Sequence, residues 1–562
     1  MSTRAVSTAA TLADELFALY LDREPLDATL WGLPGHDAEV PALTAEADAA
    51  YVAALESLRA RAQSLAGTEQ SPAERIRLAA LLNTITAQLA IVGLAAVEYT
   101  ASALAVGDGP ALLLMHASST KISTAEQARD LVTRTHAYGG YIDRCANRLR
   151  IGSAAGRTPV ASLAARAVAQ VDGYLQDDGP DPFSDVAPPA DWDGAAAWQR
   201  ELQAAVETSL RPALRRWRDA VSELPGRSDD ECGLLHLPGG AEAYDQLVAL
   251  HTTLSLSARE VHEIGVAAVA ELVEEGVRLG SSLGFDGLAA VNDAVRASMV
   301  GADAEESMES ARRAIAAAER VCADVFPAPL PPPCVVAAMS EHLGRTGMAP
   351  HYTLPAADGS RPGTYWFNAT EPATGSGWDL EVTAFHEGVP GHHLQCARLV
   401  TADEVPALQR YLAVNAFTEG WALYAEVLAG ELGLYSSPQM RLGAVGASLF
   451  RAARLVVDTG IHALGWTRSE ALGYLLARVP MAEQALAAEV DRYIAMPGQA
   501  LSYFIGRREL LRLRAAAQDR LGERFDLAGF HGAVIDRGEL PLPAVAVAVE
   551  AWIDSLGASG PG

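Results

Sequence analysis

The 562-residue chain has no run of lysines and arginines, no paired cysteines and no long uninterrupted apolar stretch. With 70 acidic against 43 basic residues its formal charge is -27, a balance that repels phosphate backbones and anionic bilayers, so neither nucleic acid nor a membrane is an expected partner. The five cysteines, Cys145, Cys232, Cys322, Cys334 and Cys396, are scattered and form no C-x-x-C pair. That usage fits buried thiols in a reducing compartment better than a disulfide framework. The opening "MSTRAVSTAATLADELFALYLDREP" mixes one early arginine with acidic residues and has no signal-peptide apolar core. No segment reaches the roughly 18 uninterrupted apolar residues of a membrane span. The expected location is therefore cytoplasmic.

What the sequence does have is apolar surface: 50% of residues are hydrophobic and 20% charged, enough for a deep core. Through the first 320 or so residues, Ala-rich amphipathic patterns alternate with Gly/Pro punctuation such as "LPGHD" and "LHLPGG", which predicts helices. The clearest starts at Ser257, where Ser257 and Glu260 read as a capping box and Val261, Ile264, Ala268 and Leu272 share a face. His262 within it reads as a structural histidine. At "FPAPLPPPCVV" the prolines force an extended path, which separates a helical half, 1–325, from a second half, 326–562, inside what reads as one body. "HYTLP" and "GTYWFNAT", separated by the turn-rich "AADGSRPG", predict a small β-ribbon. Helices resume from Trp378, and the sequence ends in "GASGPG".

The stretch "TAFHEGVPGHHLQ" begins as a zinc-protease helix does, with His386 and Glu387, but Pro390 stands where H-E-x-x-H has its second histidine. In H-E-x-x-H the two imidazoles lie on one helical face about 6 Å apart and converge on one ion. His392 and His393 come six and seven residues after His386, and on a straight helix neither could chelate with it. Pro390 removes the hydrogen bond back to the His386 carbonyl and clashes with it, so the helix must kink or bulge. Gly388 and Gly391 flank the break and can absorb it. A two-residue bulge brings His392 to the second ligand position, with His393 as the substitute.

A third ligand is expected from "NAFTEGWALYAEVLAGELG", where Glu419 and Glu426 share a helical face: Glu419 as ligand, Glu426 as a carboxylate orienting a ligand histidine. Glu381 could orient it too, or sit solvated at a helix start. Glu387, not itself a ligand, reads as the general base toward an attacking water. The oxyanion needs a donor. Gln499, Tyr503 and Arg507 or Arg508 are candidates in "RYIAMPGQALSYFIGRREL", with Tyr503 the choice. In "RAARLVVDTGIHALGW", Arg451, Arg454, Asp458 and His462 fall on one face, which suggests either a cavity lining or a buried salt-bridge network.

"FHEGVPGHHLQ", "TEGWALYAE", "RLVVDTGIH" and "PGQALSYFIG" together resemble a bacterial domain-of-unknown-function family, number 885, whose members carry H-E-x-x-P-G-H-H-L-Q. That family is similar in fold to the helical zinc peptidases of the carboxypeptidase Taq and thimet oligopeptidase types. The resemblance implies that their H-E-x-G-H corresponds to His386, Glu387 and His392, their ligand glutamate to Glu419, and the Gln and last Tyr of their Q-Y-Y-G-Y to Gln499 and Tyr503. Two extra residues between the histidines depart from that pattern. It also implies that a strand beside the metal helix receives the substrate backbone. "GTYWFNAT" stands in that place, with Tyr365 or Asn368 near substrate.

The expectation is a mostly α fold, a large zinc-peptidase-like helical body with a central cleft and a β-ribbon beside the metal helix. The expected function is that of a zinc-dependent hydrolase, a carboxypeptidase-like or oligopeptidase-like metallopeptidase acting on short peptides or small amides. The expected site has Zn2+ on His386, His392 and Glu419, catalysis by Glu387 and Tyr503, and supporting or substrate contacts from His393, Glu426, His462 and Arg508. The alternative is a non-catalytic helical protein binding a metal or ligand. A di-iron protein needs Glu-x-x-His pairs, and no histidine here has a glutamate three residues before it.

Overall fold

A computed structural model describes residues 8–558 apart from 69, 301–302, 340–343, 345–348, 356–360, 371–376, 401 and 403. The first seven residues, the "AADGS" that begins "AADGSRPG" and the end of "GASGPG" lie outside the described residues. The protein is 70% helical and 2% strand, the balance that the amphipathic periodicity predicts.

Helix Ala258–Ser282 opens on its capping box: the Glu260 N–H donates to Ser257 Oγ (3.2 Å) and the Ser257 N–H to Glu260 Oε2 (2.8 Å). It packs along helix Pro438–Leu464 so closely that a Cβ at Gly265 would lie 2.7 Å from the Leu455 Cβ. His262 Nδ1 meets Thr459 Oγ1 at 2.8 Å across this contact, which makes it a structural histidine. Two hydrophobic clusters straddle residue 325. One joins Ile76, Ile315 and Cys322 to Phe385, Trp421 and Phe530; the other joins Leu94, Tyr244 and Val261 to Leu455 and Phe504. Burying each such side chain contributes about 1.5–3 kcal/mol, so the two halves depend on each other for their cores.

The sheet has three strands, β1 (Val335–Ala338), β2 (His351–Thr353) and β3 (Thr364–Phe367), in the order β1-β3-β2. β2 and β3 form the expected antiparallel ribbon, with Tyr352 opposite Tyr365. Beyond that ribbon, a further strand forms where the prolines predict only an extended path: the β-branched Val335 and Val336 lead β1, which pairs in parallel with β3. β3 is therefore bonded on both edges, and "GTYWFNAT" cannot receive a substrate strand. Tyr365 and Phe367 are fully buried, and Asn368 closes a turn, its Oδ1 accepting from the Thr370 N–H (2.9 Å) and its amide donating to Gly344 (3.2 Å).

The polar face of helix Pro438–Leu464 is a buried network. Arg454 donates to Glu489 (3.1 Å), and Asp458 accepts from the Tyr244 hydroxyl (2.6 Å) and the Gly498 N–H (2.9 Å). His462, expected near the site, is fully buried and serves as a strut instead. Its Nδ1 accepts from the Leu234 N–H (3.1 Å) and its Nε2 donates to the Tyr493 carbonyl (3.0 Å). Both ring nitrogens are committed to backbone. A proton on Nδ1 would face a donor, and burial holds the imidazole down at about 3, against the opposing pull of the Tyr493 carbonyl. Between the ordinary value of 6.5 and about 3 the unfolded protein takes a proton that the folded protein refuses, so this group's support is lost as pH falls through that window. His462→Asn, which keeps an acceptor toward Leu234 but cannot ionise, is expected to destabilise at pH 7.5, with the deficit shrinking by about 1.4 kcal/mol per unit below 6.5. Urea denaturation at several pH values checks this; a pH-independent deficit contradicts it.

Candidate metal centre

Helix Leu380–Glu387 stops at Glu387, and a second helix, His392–Val400, starts after a gap of four residues. The bulge expected within one helix is thus a full break. The Gly388 N–H closes the first helix on Ala384 (2.9 Å) and the His393 N–H bonds back to Gly388 (3.1 Å). Neither Gly388 nor Gly391 has a positive φ. They are needed for space: a Cβ at Gly391 would lie 1.9 Å from the His386 carbonyl oxygen, and one at Gly388 would lie 2.6 Å from Ile315 Cδ1. The Trp421 indole donates to the Pro390 carbonyl (3.0 Å) and thereby ties the break to helix Asn415–Glu431, which carries Glu419.

The break brings His392 to His386. Their rings stand 4.8 Å apart at 87°, and Glu419 Oε2 lies 3.6 Å from His386 Nε2 and 3.7 Å from His392 Nε2. One atom from each of the three residues fits within 4.8 Å of the others. Ligands at 2.0–2.1 Å from a tetrahedral ion stand about 3.3 Å apart, so the spacing leaves room for a cation with a fourth position open. His386 Nδ1 donates to Glu426 Oε1 (2.8 Å), which turns its Nε2 toward Glu419. Two imidazoles and one carboxylate form a donor set suited to zinc. The Glu419 and His392 side chains keep 20% and 12% exposure, so the group opens to solvent on their side while His386 is buried.

Burial opposes charge on His386, yet Glu419 and Glu426 outweigh it and hold the imidazole up at about 9, so this spot favours a cation. Burial would raise the Glu419 carboxyl, but the two histidines hold it well below its ordinary range. Glu387 behaves differently. Burial pushes it up, Glu419 adds to that, and His386 and His392 oppose. A buried carboxylate with a raised pKa beside the triad has the properties of a proton acceptor. Tyr503 is raised by burial and by Glu419, so its phenol keeps its proton. Its neighbour Gln499 accepts from Arg492 (2.7 Å) through Oε1, which leaves the amide to donate to the Tyr503 oxygen and the phenol hydrogen free to point elsewhere. Tyr503 is set near Glu419 by a helix crossing in which Gly420 and Gly506 touch: a Cβ at Gly506 would lie 1.9 Å from the Ala416 carbonyl oxygen.

Other candidates fall elsewhere. His393 turns away from the triad, its Nε2 donating to the Pro332 carbonyl (2.7 Å) and its Nδ1 meeting the Tyr352 hydroxyl (3.1 Å). It pins the sheet to the second helix. Glu381 accepts from the Ser436 N–H (2.9 Å). Arg508 is exposed on its helix; the neighbouring Arg507 is the buried one, lowered by burial to about 10 and within reach of Glu426. Arg451, 3.8 Å from Glu426, also backs the site, and His351 on β2 acts on Glu387. Of these, Arg451 carried a signal as part of a polar stripe on an apolar helix, whereas His351 carried none. Glu426→Gln removes the orienting carboxylate and is expected to weaken zinc binding about 10–100-fold, measured by competition with a fluorescent chelator. Unchanged affinity would show that Glu426 does not set the ring.

Among solved structures, the protein resembles a candidate lipoprotein from Colwellia psychrerythraea, with TM-score 0.87 and 25% identity over 98% of this sequence and 100% of that one. It also shares its fold with a candidate lipoprotein of unknown function from Shewanella oneidensis, with TM-score 0.73 and 17% identity over 96% and 99% of the two sequences. No curated protein matches it. Lipoproteins belong to the cell envelope, and this likeness overturns the expected cytoplasmic location. The cysteines misled because four of the five are buried and the fifth partly so, and thiols packed in this way sit as well in one compartment as in another. The segment Pro72–Glu98 also has the length and apolarity of a membrane-spanning helix, with 28% of its apolar window buried. The model for bacterial proteins of unknown function, DUF885, matches residues 25–549, and the protein belongs to that family.

Proposed function

We propose that this protein is a zinc-dependent hydrolase, a metallopeptidase of carboxypeptidase or oligopeptidase kind, acting on short peptides or small amides. The observation that carries the reading is the convergence of His386, His392 and Glu419 on one point, with Glu387 buried beside them and outside the set. The exposure of His392 and Glu419 supports a cleft that opens on their side. The likeness to candidate lipoproteins favours a setting at the cell envelope.

In this reading His386, His392 and Glu419 hold the ion, which when bound supplies Lewis acidity toward water and a substrate carbonyl. Glu387 takes the proton of the attacking water and returns it to the leaving amine; burial raises its carboxyl above the ordinary range, which strengthens it as a base. The Tyr503 phenol donates to the oxygen that gains charge as the carbonyl is attacked. Glu426 keeps the His386 ring in one tautomer and orientation.

A screen of peptides blocked at either end, comparing native protein with Glu387→Gln, tests the roles. The native protein is expected to cleave at least one class. The variant is expected to lose about 10²–10⁴-fold in rate while keeping its zinc, since Glu387 is not a ligand. Equal activity in the two proteins would sink the mechanism.

A further inference from the structure

In a protein of formal charge -27, two pairs of arginines stand near the candidate centre, one at Glu426 and one beside Tyr503. Arg451 and Arg507 face Glu426. Arg454 and Arg492 share a single carboxylate: Glu489 Oε2 accepts from Arg454 Nη2 (3.1 Å) and from Arg492 Nη2 (2.9 Å). One carboxylate shared by two guanidiniums leaves the pair only partly neutralised by Glu489; Arg454 is buried, while Arg492 and Glu489 each keep 21% exposure. The nearby Asp458 takes the bonds from Tyr244 and Gly498 at Oδ1 alone, and burial pushes its carboxyl up to about 7 against the pull of Arg492.

Arg454 is 6% exposed, and its Nη1 is buried without a hydrogen-bond partner. Its guanidinium stacks 4.4 Å from the centroid of the Tyr503 ring, the tyrosine whose phenol also feels Glu419. Arg492 reaches the same tyrosine through Gln499. Tyr503 thus stands between the triad and a guanidinium pair that has one donor unspent.

We propose that Arg454 and Arg492 form a carboxylate-binding subsite, which takes a free carboxylate of the substrate one or two residues from the bond held at the triad. This rests on the hydrolase reading and narrows its substrates to those with a carboxylate close to the cleaved bond. Guanidinium forks match the two oxygens of a carboxylate, and charge-assisted hydrogen bonds of this kind are the strong ones. One residue of extended peptide spans about 3.5 Å, so a short substrate can present a carbonyl on one side of Tyr503 and a carboxylate on the other. The terminal carboxylate of a peptide and the carboxylate of an acidic residue present the same two oxygens.

Calorimetric titration of zinc-loaded Glu387→Gln protein with N-acetyl-dialanine, its C-terminal amide, and N-acetyl-alanyl-glutamic acid α-amide separates the sources. At least one acid is expected to bind about tenfold tighter than the uncharged amide. A preference for the first acid assigns the subsite to a peptide terminus, and a preference for the last assigns it to an acidic residue. Adding Arg492→Gln is expected to erase the preference, and Arg492→Lys to keep part of it. The inference is overturned by an amide that binds as well as both acids, by binding of none of the three, or by an unchanged preference in Arg492→Gln. Zinc stoichiometry measured in the same samples tests the hydrolase reading separately, so the two failures can be told apart.

Discussion

The candidate centre depends on one backbone constraint, the contact between Gly391 and the His386 carbonyl across the break at Pro390. Proline at 390 has no N–H to offer that carbonyl, so the helix carrying His386 cannot continue. Any side group at 391 would collide with the same carbonyl oxygen, so only glycine lets the backbone fold back tightly enough. The turn is then held from outside by the Trp421 indole on the Pro390 carbonyl. Trp421 lies two positions beyond Glu419 on the same helix, so the residue that fixes the break also fixes the distance of the third donor from the two histidines.

Around this point the interior is unusually charged. Glu426 faces Arg451 and Arg507, Glu387 and Glu419 face His386 and His392, and Glu489 holds Arg454 and Arg492. Buried ions cost several kcal/mol each unless closely paired, so a fold carrying this many has given up stability for a local electric field. A cation among His386, His392 and Glu419 would offset much of the negative side. The guanidinium pair beyond Tyr503 then remains as a positive patch inside an acidic protein, and such a patch draws anionic small molecules inward.

The helical class and the convergence of His392 on His386 were legible because each rests on local chemistry: amphipathic periodicity, a capping box at Ser257, and the requirement that Pro390 break the helix between the two histidines. The orienting role of Glu426 followed from its seven-residue spacing from Glu419. What could not be read depends on partners distant in sequence. β1 is a strand because Val335–Ala338 finds β3, and that pairing turns β3 into an interior strand. His462 and His393 look as chemically able as His392, but the backbone groups of Leu234, Tyr493 and Pro332 claim their nitrogens. Arg507 and Arg508 are adjacent, and only the crossing at Gly420 and Gly506 decides which faces inward. Location was misread because buried thiols carry no mark of their compartment.

The most direct measurement is anomalous diffraction at the zinc absorption edge, from crystals of the full-length protein grown with one equivalent of zinc. A single peak is expected about 2.0–2.2 Å from His386 Nε2, His392 Nε2 and a Glu419 carboxylate oxygen, with His393 still bonded to Pro332 and Tyr352. A peak that recruits His393, or no peak among the three residues, would contradict a metal centre built on the break at Pro390.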